Sequence, residues 1–163
     1  MKISMKSIPT PHRVLAFDPG YERLGVAVLE KDDLLFSDCI RTSAKLEFPE
    51  RLRQLGEAVE KLLKKWKPDA VALENIYFEK NVKTAIGVAQ VRGVLAYLAA
   101  AHGLVVYEYT PLQVKAAITG NGHCDKRAIA AMIPRLIKLT KAVRLDDELD
   151  AIAVGITCLA SLR

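Results

Sequence analysis

"VLAFDPGYERLGVAV", residues 14–28, decides how the chain is read. Val14 to Phe17 is an apolar run that ends on an acid, Asp18, and Gly25 to Glu30 resumes the same kind of run after "PGYERL". Residues apolar on both faces mark a buried strand, so Asp18 stands in register with Val14 and Ala16 at the end of one. The connection is short enough for an antiparallel hairpin. A carboxylate so placed needs a compensating partner.

Working outward, Leu34 to Arg41 reads as a third strand, joined through "KDD". A helix opens at Pro49 and runs to about Trp66, with Leu52, Leu55, Val59, Leu62 and Leu63 at helical spacing, and Pro68 ends it. "DAVALE", residues 69–74, is a fourth buried strand, a long helix follows over about 81–102 until Gly103, and "LVVYEY" is a fifth strand. Helical segments then cover 113–118 and 125–138, and a last helix covers about 146–162. Three strands in a meander followed by strands alternating with helices predict a mixed sheet flanked by helices, with the chemistry at strand ends.

Composition narrows the class. The 163 residues suit one domain over 13–163, preceded by a flexible lead-in over 1–12. A hydrophobic content of 51% excludes a disordered chain. Twenty-four Lys and Arg against nineteen Asp and Glu give a formal charge of +5, which suits a polyanionic partner. "MKISMKSIPTPHR" lacks the apolar core of a signal peptide, and no apolar run long enough to cross a bilayer is expected. Cys39, Cys124 and Cys158 are odd in number, far apart and without metal-ligand spacing, as suits a reducing cytoplasm.

"VLAFD" and "AVALE" share a peculiarity, each closing on a carboxylate after four apolar residues. If the two strands are parallel neighbours, their spacing of about 4.8 Å brings Asp18 and Glu74 together. Two such charges about 5 Å apart repel by roughly 3 kcal/mol at an effective dielectric near 20, so the pair needs a shared proton or a cation. In "LDDELDAIAVGITCLA", an inward stripe of Leu149, Ile152, Ala153, Ile156, Leu159 and Ala160 accompanies acids in the first turn. Asp147 and Asp150 share a side of this helix, and Asp146 and Asp150 would share one equally well. Asp18, Glu74 and acids from this helix would form an all-oxygen cluster, which favours Mg²⁺ or Mn²⁺ over zinc. In a basic protein that cluster points to two-metal phosphodiester hydrolysis.

With "FDPG" followed by Gly25, then "ALENIYFEKN", "VAQVRGV", "EYTPLQVK", "TGNGHCDK" and "DELDAIAVG", the sequence resembles the RuvC family of bacterial Holliday-junction resolvases over about Val14 to Leu162. The resemblance implies an α/β, RNase H-like fold: a five-stranded mixed sheet with the second strand antiparallel, flanked by helices. It implies a homodimer that cuts opposing strands of a four-way DNA junction symmetrically, using two Mg²⁺ ions per active site, with Mn²⁺ as a substitute. The family's catalytic, metal-holding carboxylates match Asp18, Glu74, Asp147 and Asp150, which favours Asp147 over Asp146.

The resemblance also carries over DNA contacts. Tyr77 falls where the family usually has a phenylalanine that stacks on junction bases. Lys115 and Lys126 match lysines near the active centre that neutralise phosphate charge. Lys80, Lys83 and Arg92 are weaker phosphate candidates. Ala85, Ala89, Gly93, Ala96 and Ala100 form a stripe of small residues, expected to pack on the sheet, with a subunit contact as the competing reading. His123 and Cys124 depart from the family pattern and are too isolated for a zinc site. A flap or fork nuclease of the same family and a non-catalytic junction-binding module are the alternative functions. RuvA- and RuvB-like branch-migration proteins are possible partners, and no membrane is involved.

Overall fold

The apolar runs of the sequence pair as a hairpin and two parallel neighbours. β1 (Arg13–Pro19) lies antiparallel to β2 (Arg23–Glu30), and β2 antiparallel to β3 (Asp33–Arg41). On its other side β1 pairs parallel with β4 (Ala70–Glu74), and β4 parallel with β5 (Val105–Tyr109). The result is the expected five-stranded mixed sheet with β2 antiparallel, its strands in the order β3-β2-β1-β4-β5. The computed structural model describes residues 10–75, 82–139 and 146–162, excepting the side chains of Val82 and Lys83.

Helices cover both faces. α1 (Phe48–Trp66) and α2 (Val82–Ala101) lie over the side built from Leu15, Phe17, Leu24, Val26, Val28, Val71 and Leu73. α5 (Asp146–Ser161) lies on the other side, over Val14, Ala16, Ala27 and Ala72, and is backed by α3 (Pro111–Thr119) and α4 (Lys126–Leu136). Local signals agree with these bounds: Pro49 opens α1, and Lys67, at φ 43°, turns the chain out of it.

The structure corrects four expectations. α5 buries more than one stripe: Ala151 to Gly155 and Thr157 to Leu159 are all buried, while Ala160 is exposed. The cause is its position between the sheet and α3 and α4, which encloses it on two sides. α4 ends at Leu136, two residues after its internal Pro134, and Lys138 instead bridges to Asp33 beside β3. In α2 the residues turned inward are Val91, Leu95 and Ala99, so the small-residue stripe does not pack on the sheet: Ala89, Gly93 and Ala100 are exposed. Finally, Thr84–Ala101 does have the length and mean hydropathy, 1.4, of a bilayer-crossing segment, with 22% of it buried.

Candidate active site

Register places the acids. Asp18 pairs with Gly25, Gly25 pairs with Cys39, and the parallel pairing of Phe17 with Leu73 sets Glu74 beside Asp18. Glu74, Asp18, Gly25 and Cys39 therefore form one transverse row at the end of four strands. Alternation along each strand turns this row toward α5, because Ala16, Ala27 and Ala72 of the same parity belong to the core on that side.

Gly25 is the gap in the row. A Cβ there would lie 2.0 Å from the Asp147 carbonyl oxygen, so the first turn of α5 rests directly on the β2 backbone. That contact brings Asp147 and Asp150 to the strand acids. A cleft of about 440 Å³ results, lined by all four carboxylates together with Lys115, Lys126 and apolar Pro111, Val114 and Ile129.

The opposite wall is equally well placed. Thr110 and Gln113 close a reciprocal capping box at the start of α3, whose buried Val114 and Ile118 leave Lys115 on the cleft side. Asp125 caps α4 by accepting from the Ala128 amide at 2.8 Å, which sets Lys126 at its first residue. On the far side of Asp18, the hairpin is locked by Tyr21. Its ring stacks on Phe48 at 5.4 Å, the buried Arg51 guanidinium lies 4.7 Å from the ring centre, and Arg51 donates to the Tyr21 carbonyl at 2.8 Å.

The site carries more negative charge than its surroundings solvate. Burial raises the Asp18 carboxyl well above its ordinary range, reinforced by the charges of Glu74, Asp150 and Asp147. Burial also raises Glu74, with Asp150 adding to it, while a hydrogen bond from Asp18 and the nearby Lys126 and Lys115 act the other way. Both strand acids are thus shifted toward the neutral form, Asp18 by burial and its three acidic neighbours and Glu74 by burial and Asp150. Lys126 Nζ donates to Asp150 Oδ2 at 2.8 Å, and this bond raises the Lys126 ammonium above its ordinary value. An Arg23 guanidinium nitrogen approaches Asp147 Oδ2 at 3.6 Å.

These oxygens suit a hard divalent cation: four carboxylates line one cleft whose lining, among the described residues, includes no histidine or cysteine. As they stand, with Lys126 on Asp150 and Arg23 beside Asp147, no three His, Cys, Asp or Glu side chains among the described residues are drawn close enough to enclose one ion. The four acids line a common cleft.

Of the residues expected from sequence, the structure thus brings together Asp18, Glu74, Asp147, Asp150, Lys115 and Lys126. Asp146 is exposed and does not line the cleft. Arg92 is turned elsewhere, donating to Asn75 at 2.8 Å and to Glu108 at 2.6 Å, so it braces the chain just after Glu74. Tyr77 and Lys80 lie outside the described residues, as does the Lys83 side chain. Sequence reading missed Arg23, which shares the parity of Gly25 and so faces the same side. Its cross-strand neighbour is Arg41, so two cations stand at that rim.

Comparison with known proteins identifies the family. The family model for crossover junction endodeoxyribonuclease RuvC matches residues 14–158. The chain belongs to the RuvC family. A RuvC relative from Thermosipho melanesiensis, named crossover junction endodeoxyribonuclease, is 43% identical over 152 residues, covering 91% of this chain and 96% of the relative. Among solved structures, Thermus thermophilus RuvC in complex with a Holliday junction substrate superposes with a TM-score of 0.84 at 31% identity, covering 90% of this chain and 92% of that one. The yeast mitochondrial Holliday junction resolvase Ydc2 shares the fold alone, at a TM-score of 0.70 and 14% identity over 94% of this chain and 81% of that one. RuvC membership also fits the RNase H-like sheet described above.

Proposed function

We propose that this chain is a divalent-cation-dependent endodeoxyribonuclease that resolves four-way DNA junctions by paired, symmetric nicks. The observation that carries the reading is the convergence of Asp18, Glu74, Asp147 and Asp150 in one cleft of a basic RuvC-family chain. Four carboxylates facing a polyanion would weaken binding unless they hold cations, so a role in binding alone leaves the cluster unexplained.

In this reading the four carboxylates hold two Mg²⁺ ions, for which Mn²⁺ substitutes. Bound there, the ions supply activation of a water nucleophile and stabilisation of the departing oxygen. The chain's own residues do the rest. Lys126 and Arg23, which lean on Asp150 and Asp147, would be free to meet the phosphate backbone were those acids to hold cations. Lys115 neutralises phosphate from the α3 wall. Burial around Asp18 strengthens every charge interaction in the cleft. Tyr77 stacks on unpaired bases, and Lys80 adds a further phosphate contact.

Symmetric cutting needs two cleavage sites related by a two-fold axis, and α2 supports a homodimer. It exposes Ile86 by 56% and Tyr97 by 71%, beside the small Ala89, Gly93 and Ala100 that permit close approach. An apolar helix face of this kind is covered by a second copy rather than by a membrane in a DNA-cleaving enzyme. The free thiols of Cys39, Cys124 and Cys158 suit a cytoplasmic protein, and motor partners of the RuvA and RuvB kind go with the same reading.

The test is cleavage of a synthetic four-way junction beside a flap and a plain duplex, with and without Mg²⁺, mapping nicks on every strand. Paired nicks at equivalent positions on opposing strands, dependent on Mg²⁺ and confined to the junction, are expected. Equal cutting of the flap by a monomeric protein in sedimentation would replace the resolvase reading with that of a general branched-DNA nuclease.

A further inference from the structure

Helix α5 opens with Asp146, Asp147, Glu148 and Asp150, so four of its first five residues are acids. Neighbouring residues of an α-helix differ by about 100° in direction, so a rotation of about half that size would exchange Asp147 and Asp150 for Asp146 and Asp150 at the cleft, and a larger one would bring Glu148 there. A cation in the cleft discriminates poorly among such arrangements, because each offers carboxylates.

The apolar packing of α5 fixes its axis, and β3 then distinguishes the acids. Ser37, 1% exposed, donates through Oγ to Glu148 Oε2 at 2.8 Å across 111 residues of sequence. One step along the same face of β3, Cys39 Sγ lies 3.6 Å from Asp147 Oδ2. Glu148 is itself only 6% exposed and does not line the cleft, unlike Asp147 and Asp150 on either side of it in sequence. A buried carboxylate needs a hydrogen-bond donor to meet it, and Ser37 of β3 meets Glu148.

We propose that Ser37 and Glu148 are positioning residues that pin the rotational register of α5, so that Asp147 and Asp150, and neither Glu148 nor Asp146, face the cleft. The inference rests on the metal-site reading above. Buried polar pairs of this type contribute little net stability but select one arrangement among several of similar energy. Glu148 is the acid set aside. Its bond to Ser37 keeps it out of competition for the ions, and the Cys39 thiol steadies Asp147 on the adjoining rung.

The experiment compares Ser37→Ala, Glu148→Ala and Glu148→Gln with the unaltered protein. Mn²⁺ affinity is measured calorimetrically without DNA, amide hydrogen exchange is followed in residues 146–150, and junction binding is measured without divalent cations. We expect Ser37→Ala and Glu148→Ala to weaken Mn²⁺ binding about tenfold and to speed exchange in the first turn, whereas Glu148→Gln, which still accepts from Ser37, stays within about twofold. Metal-free junction binding is unchanged in all three. Unchanged Mn²⁺ affinity in folded Ser37→Ala and Glu148→Ala would overturn the pin, as would a Glu148→Gln defect equal to that of Glu148→Ala. If Asp147→Asn, included as a control, left Mn²⁺ affinity intact, the metal-site reading itself would fail instead.

Discussion

The two faces of the sheet are made by the same strands and built to opposite ends. Under α1 and α2, β1, β2 and β4 present Leu15, Phe17, Leu24, Val26, Val28, Val71 and Leu73. Under α5 the same strands present chiefly Ala16, Gly25, Ala27 and Ala72. Large side chains hold a helix backbone away from the strands and fill the space with apolar contacts. Small ones let it descend, and α5 adds Gly155, where a Cβ would sit 2.3 Å from Leu29. One face is therefore a core in the ordinary sense. The other trades side-chain volume for proximity, and proximity is what delivers two helix acids to two strand acids.

Substitutions on the two faces should fail in different ways, and the sharpest break comes from the acid at the end of β1. Asp18→Asn is expected to lower Mg²⁺-dependent junction cleavage by more than about a thousandfold. Junction binding should stay the same or tighten, because a negative charge facing phosphate is removed. Undiminished cleavage would remove Asp18 from the metal site.

Next in size is Gly25→Ala. The added methyl meets backbone rather than a flexible side chain, so α5 must lift from β2. A displacement of about 1 Å at reacting groups costs on the order of a hundredfold in rate, and overpacking costs about 1–3 kcal/mol of stability. Steady-state nicking and a denaturant melt on the same sample measure both. Leu15→Ala, on the opposite face of β1, is the matched control. It should cost about 2–5 kcal/mol of stability and leave the turnover of the folded enzyme within about twofold. If both variants lost activity only in proportion to unfolding, the division of labour between the faces would be refuted.

The smallest effect is in pH. The unfolded chain gives up the Asp18 proton in the ordinary aspartate range, while the folded chain keeps it to higher pH. The stability that Asp18 contributes is thus complete below that range and is lost as pH rises through the raised value. Without metal, the melting temperature of Asp18→Asn should exceed that of the unaltered protein by a margin that widens over this rise. Added Mg²⁺ should close the gap by stabilising only the protein that retains Asp18.

The sheet was legible because its strands are apolar on both faces, and the two strand acids were legible because each ends such a run. The helix acids were legible as a group but not individually: spacing left Asp146 and Asp147 equivalent, and β2 and β3 contacts break that tie. Gly25 carries no local signal, since its role depends on an atom 122 residues away in sequence. Ser37 and Glu148 carry no signal in the sequence beyond a place in a strand and in an acidic helix start, and only the tertiary fold brings them together. Arg92 shows the converse. A cation near a proposed DNA surface suggests phosphate, yet tertiary structure supplies Asn75 and Glu108 first.

The bridge between Lys138 and β3 bears on how the enzyme admits its substrate. Leu34 donates to the Lys138 carbonyl at 3.3 Å, and the Lys138 amide donates to Asp32 at 3.1 Å. Those bonds tether the far end of α4, whose near end carries Lys126, to the edge strand whose opposite end carries Cys39 and Arg41. The helix that carries one cationic wall of the cleft is thus hydrogen-bonded at its far end to the edge of the sheet. On the nuclease reading proposed above, a DNA strand would be met by the swing of Lys115 and Lys126 rather than by parting of α4 from β3.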